Sequence, residues 1–195
     1  MTMTKMTKDD IIALPNSHLR QKSKRVGVVT DEVKQLIADM EAATINWDES
    51  RAHEVGVALA AVQIDQLYKV VIIRNNFDDK TDNSFTAFIN PEIVKAEGEL
   101  VEDFEGCLSV PDIYGKVPRY KKVKVKALDL NGREFRVTAE DFLARVFQHE
   151  IDHTNGLVFI DHIKDQDEAF YQLDDDGKLQ PLDYKKDVEK NSILW

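Results

Sequence analysis

His149-Glu150-Ile151-Asp152-His153 places two imidazoles and a carboxylate within one short segment. On a helix, residues four apart share a face, so His149 and His153 can converge on one divalent ion. Glu150, next to the first histidine, is then available to carry a proton of an activated water rather than to ligate the ion. The spacing points to a metal-dependent hydrolase. The alternative is a solvated or structural histidine pair on a surface helix.

The flanking residues support the helix. Thr138 and Asp141 are spaced as an N-cap and N3 pair, Phe142, Leu143, Val146 and Phe147 recur at helical intervals, and Gly156 stands where the helix should stop. Phe142, Arg145 and Val146 fall on the face of His149 and can flank the site; a solvated charge is the other reading of Arg145. A tetrahedral hydrolytic centre takes a third protein ligand and keeps one position for water. The third histidine of HExxHxxGxxH proteins would fall at Phe159, and Glu168 lies in an acidic stretch. The sole cysteine, Cys107, lies in Glu105-Gly106-Cys107-Leu108-Ser109. Lone cysteines are often small buried apolar residues, so spacing leaves the third ligand open.

The remaining chain reads as mixed helix and strand. Thr30 starts a helix through about Thr44, and Lys69 to Arg74, Phe85 to Ile89, Glu92 to Glu97, Val117 to Leu130 and Arg133 to Val137 read as strands. Val57 to Val62 reads as a buried apolar strand or turn. Lys121, Lys122, Lys124 and Lys126 alternate with Val123, Val125 and Ala127, which is a half-buried strand with a solvated face rather than a basic patch.

Composition restricts the partners. A formal net charge of −10 over 195 residues argues against broad nucleic-acid binding. No apolar run reaches a membrane span, the start Met1 to Asp10 lacks a signal-peptide core, and a single cysteine suits a reducing, cytoplasmic setting.

Three motifs in order make the reading specific. Gly56-Val57-Ala58-Leu59-Ala60-Ala61-Val62-Gln63 is similar to GxGxAAxQ, Glu105 to Ser109 is EGCLS, and Gln148 to His153 is QHExDH. With Leu14-Pro15, Leu19-Arg20 and the stretch from Val117-Pro118-Arg119 to Asn131-Gly132, the chain resembles the peptide deformylases from about Leu14 to His162. The resemblance implies an α+β fold with antiparallel strands packed around a central metal-binding HExxH helix. It implies a catalytic domain over residues 1–164 and an acidic extension over 165–195. It makes Cys107, His149 and His153 the ligands of one divalent transition metal. Fe(II) is the expected native ion, and Zn(II), Ni(II) and Co(II) also accept this donor set. Glu150 becomes the proton carrier, with the Gln63 amide and the Leu108 backbone N–H on the developing oxyanion. Val57, Ala58 and Gly106 join the groove lining, and Glu105 pairs with Arg119 behind a ligand. The implied reaction removes the formyl group of formylmethionine from nascent peptides.

Ala58 replaces the usual glycine and Val62 the usual proline before Gln63; neither change removes a ligand or donor, while the Ala58 methyl could narrow the groove. Two other readings are a catalytically degenerate deformylase-like peptide binder and another HExxH zinc peptidase. Family members meet their substrate in a transient encounter with the ribosome. Here nine acids from Asp165 to Glu189 oppose Lys178, Lys185, Lys186 and Lys190, a net −5. The extension is therefore expected to be dispensable for chemistry and repelled by RNA, with Ile193, Leu194 and Trp195 packed back on the domain.

Overall fold

The computed structural model describes residues 5–189; Ile193, Leu194 and Trp195 lie outside them. Helix α1 spans Asp31–Glu49, with Thr30 at its N-cap position, and is followed by β1 (Ala58–Ala60) and β2 (Val70–Arg74). β3 (Phe85–Cys107) and β4 (Val110–Leu128) form a long hairpin. β5 (Glu134–Glu140) leads into α2 (Asp141–Thr154), and β6 (Phe170–Leu173) and β7 (Leu179–Pro181) close the sheet. The antiparallel order is β1-β2-β3-β4-β6-β7, with β5 also paired to β4.

Strand periodicity explains how the sheet holds both helices. Side chains alternate across a strand, so Ala58, Ala60, Val71 and Ile73 join Val146, Phe147 and Ile151 of α2. Leu59, Val70 and Ile72 face the other way, onto Ile37 and Met40 of α1. β2 is buried at every position because both of its faces are covered. Each fully buried Val or Ile contributes roughly 1.5–3 kcal/mol. Val123, Val125 and Ala127 are buried while Lys122, Lys124 and Lys126 pair with Glu140, Glu97 and Glu92, as the alternation requires.

Several boundaries differ from the sequence reading, among them β4, which begins at Val110 rather than Val117 and ends at Leu128. Thr138 is not the N-cap of α2: β5 stays paired to β4 as far as Glu140, and the chain enters the helix through Asp141 at φ 50°. Phe85–Ile89 and Glu92–Glu97 are parts of one strand. Asn90 and Gly98 adopt positive φ where the β3–β4 register slips, so residues that look like strand ends are bulges. α1 runs past Thr44 because Trp47 and Asp48 are also buried. Gly156, at φ 81°, does end α2; a Cβ there would lie 2.4 Å from the Arg20 carbonyl oxygen.

After the boundary expected at residue 164, β6 pairs with Ile113 to Gly115 of β4, and Phe170, Tyr184 and Val188 pack on Val117, Phe159 and Ile163.

Candidate active site

Two elements build the site. α2 presents His149 and His153 with ring centroids 4.9 Å apart. Across from it, Cys107 pairs with Val110, so Leu108 and Ser109 form the tip of the β3–β4 hairpin and aim the thiol at the helix. Cys107 Sγ lies 3.2 Å from His153 Nε2. Among the described residues, Cys107, His149 and His153 are the one group whose donor atoms, all within 4.8 Å, could hold a metal ion.

The surroundings orient these donors. Glu105 Oε2 lies 2.9 Å from His149 Nδ1, which leaves Nε2 toward the site. Arg119 donates to both Glu105 oxygens at 2.8 and 3.0 Å, and Arg145 donates to Oε1 at 2.8 Å. Burial would raise the Glu105 pKa, but hydrogen bonds from His149 and Arg119 outweigh it and hold the carboxyl well below the usual range. Arg119 also donates to Asp152 at 2.6 Å, tying β4 to α2 beside the ligands.

His149 and His153 are driven apart. Burial disfavours protonation of both, yet the Cys107 and Glu105 partners raise His149 well above the ordinary value. His153 is pushed well below it by burial and by the His149 charge. Its Nδ1 is buried without a hydrogen-bond partner. A cysteine sulfur and two imidazoles, one held by a carboxylate, suit a borderline transition metal.

Gln63 lies in the 3-10 turn after β1. Its Nε2 donates to Ser109 Oγ at 3.1 Å and lies 3.5 Å from Cys107 Sγ. Glu150 is 5% exposed and its Oε2 has no hydrogen-bond partner. Burial raises its pKa to about 7, partly offset by His149. Such a carboxyl can both take and return a proton near neutrality.

Gln63, Cys107, His149 and Glu150 line a groove of about 350 Å³, while His153 is fully buried and does not border it. Val57, Ala58, Gly106, Leu108, Phe142, Arg145 and Val146 all line it, so the structure brings every residue expected there to one cavity. The solvated alternative for Arg145 fails. Its guanidinium is buried and donates to the Val117 and Val101 carbonyls at 2.7 Å as well as to Glu105, while the side chain still borders the groove.

Sequence reasoning missed Tyr114, Glu54 and Ser109. Tyr114 and Glu54 both line the groove, and the Tyr114 hydroxyl donates to Glu54 at 2.6 Å, a contact 60 residues apart that no local period reveals. Gly106 gave an indirect signal: a Cβ there would lie 2.5 Å from the Tyr114 ring.

Comparison with known proteins identifies the family. Residues 8–169 match the family described as polypeptide deformylase. A peptide deformylase of Thermomicrobium roseum is 44% identical over 85% of this chain and 92% of its own length. Peptide deformylase 2 of Clostridium acetobutylicum is 44% identical over 73% and 87%. Among solved structures, a Synechococcus elongatus peptide deformylase in complex with actinonin superposes with a TM-score of 0.72. It is 34% identical and covers 84% of this chain and 88% of its own. A Legionella pneumophila peptide deformylase has a TM-score of 0.69 at 38% identity, covering 82% and 86%. With most of its length and its Cys/His/His cluster accounted for in this way, the chain belongs to the polypeptide deformylase family, metallohydrolases that act on formylated nascent peptides.

Proposed function

We propose that the chain removes the formyl group from N-terminal formylmethionine through Glu150, Gln63 and the Leu108 N–H, beside a metal held by Cys107, His149 and His153. One observation carries this assignment: Glu150, buried and with a free carboxylate oxygen, lines the same groove as Cys107 and His149. When bound, the divalent ion supplies Lewis acidity and makes water a nucleophile near neutral pH. Fe(II) is the proposed native ion, with Zn(II), Ni(II) and Co(II) compatible with the same donors.

Glu150 takes one proton from the attacking water while a C–O bond forms at the formyl carbon. Negative charge gathers on the former carbonyl oxygen, where the Gln63 amide and the Leu108 N–H donate. The C–N bond then breaks, Glu150 returns its proton to the departing amine, and the products are formate and a free N-terminus. The methionine side chain occupies the groove between Val57, Phe142 and Val146, and the peptide backbone runs along Val57 and Gly106.

Residues 1–164 carry the chemistry and 165–195 form an acidic extension that does not anchor the enzyme through RNA phosphates. No described helix is long and apolar enough to cross a membrane. The proposed setting is the cytoplasm, with nascent peptides as partners and the ribosome met only transiently. Formate release from formyl-Met-Ala-Ser tests the reading. Cleavage of an internal peptide bond, or tight binding of that peptide without turnover, would refute it.

A further inference from the structure

We propose that Arg74 and Asp48 are positioning residues that, by holding Gly56, fix the groove wall at its neighbours Val55 and Val57 and so govern binding of the substrate backbone. The proposal rests on the reading above, in which that backbone runs along Val57. Arg74 ends β2 and is 1% exposed; Asp48, near the end of α1, is 5% exposed. The two form a buried ion pair. Both also hold one peptide segment. Arg74 Nε donates to the Gly56 carbonyl at 3.1 Å, Asp48 Oδ1 accepts the Gly56 N–H at 2.5 Å, and the Arg74 backbone N–H donates to the Val57 carbonyl at 2.8 Å.

The wall has little room to move away from them. A Cβ on Gly56 would lie 2.7 Å from Thr44 Cγ2, so the backbone is pressed against α1. Arg74 reaches the other flank as well, through the Asp82 carbonyl of the β2–β3 loop. That loop sets Phe77 edge-on to the groove residue Phe142, with centroids 5.0 Å apart.

Stability alone is a poor explanation for burying this pair. Apolar residues of similar volume in place of a buried ion pair are often neutral or stabilising. What they cannot replace is the grip on Gly56. Removing that grip should affect the substrate that uses the wall most.

The test replaces both residues, Asp48→Leu with Arg74→Met, in the metal-loaded protein. Metal content and thermal unfolding monitor the fold. KM for formyl-Met-Ala-Ser should rise about tenfold, kcat should stay within about threefold, and KM for formylmethionine should change less. An unchanged tripeptide KM in the folded, loaded variant overturns the proposal. Should the double variant not fold, Arg74→Lys retains the charge opposite Asp48 but loses the Nε contact. Its tripeptide KM should rise about threefold, and no rise overturns the proposal. The wild-type protein separates the two ideas. Equal kcat/KM for formylmethionine and the tripeptide refutes the backbone reading and this proposal with it, whereas wild-type discrimination retained in the variant refutes only the role of Arg74 and Asp48.

Discussion

The Ala60 backbone N–H donates to Gln63 Oε1 at 2.8 Å, and this contact decides which end of the Gln63 amide faces Cys107. An N–H accepts nothing, so the oxygen must stay with Ala60 and the two amide protons must point to Ser109 and the site. In the proposed mechanism, the turn after β1 thereby presents a donor to the place where negative charge develops.

Gln63→Ala removes this donor. The expected loss is about 10²-fold or more in kcat, with a smaller change in KM, because the interaction strengthens in the transition state. Steady-state kinetics on formyl-Met-Ala-Ser check it. A rise in KM with unchanged kcat would make Gln63 a binding residue instead. Ser109→Ala should reproduce part of the effect by freeing the amide.

Glu150→Gln keeps the shape of the side chain and loses the proton acceptor. Metal content measured by elemental analysis should stay near one per chain while turnover falls by about 10²-fold or more. Near-normal turnover in a fully loaded sample would eliminate Glu150 as the proton carrier.

Glu105→Gln should act through metal retention. The amide weakens the contact that orients His149 and leaves Arg119 and Arg145 facing a neutral partner. Metal affinity is expected to fall about 10- to 100-fold in competition with a chelator, together with a loss of folding stability of about 3 kcal/mol or more. Cys107→Ala should weaken binding at least as much. Unaltered affinity in both variants would move the metal elsewhere.

The local parts of this site were legible in the sequence and its long-range supports were not. His149, Glu150 and His153 lie within one helical turn, whereas Cys107 and Gln63 gained their roles only from the family motifs that contain them. Arg119 and Glu105 are 14 residues apart on neighbouring strands and needed the family pattern to be paired. The grip of Arg74 on Gly56 had no such help. Arg74 reads as the polar end of an apolar strand, and only the approach of α1, β1 and β2 reveals its partners. Bulges at Asn90 and Gly98 hid the length of β3 for a related reason: both residues signal turns, and pairing with β4 carries the strand through them.

The acidic extension gives the sharpest contrast between charge pattern and packing. Its composition suggests a solvated appendage, yet Phe170 and Val188 are fully buried against the cluster that contains Phe159 and Val117. Truncation after Lys164 would strip these side chains and expose the β4 edge at Ile113 to Gly115. Removing one buried Phe costs about 3–5 kcal/mol, so the truncated protein should unfold at a temperature lower by roughly 10 °C or more. The metal ligands and Glu150 all precede the cut, and whatever fraction remains folded at low temperature should still release formate. Unaltered thermal stability would mean that the extension contributes no packing. Charge makes a separate prediction: with a net −5 over residues 165–195, deletion should not weaken ribosome association, and tight, salt-sensitive binding lost on truncation would overturn the view that RNA phosphates repel this segment.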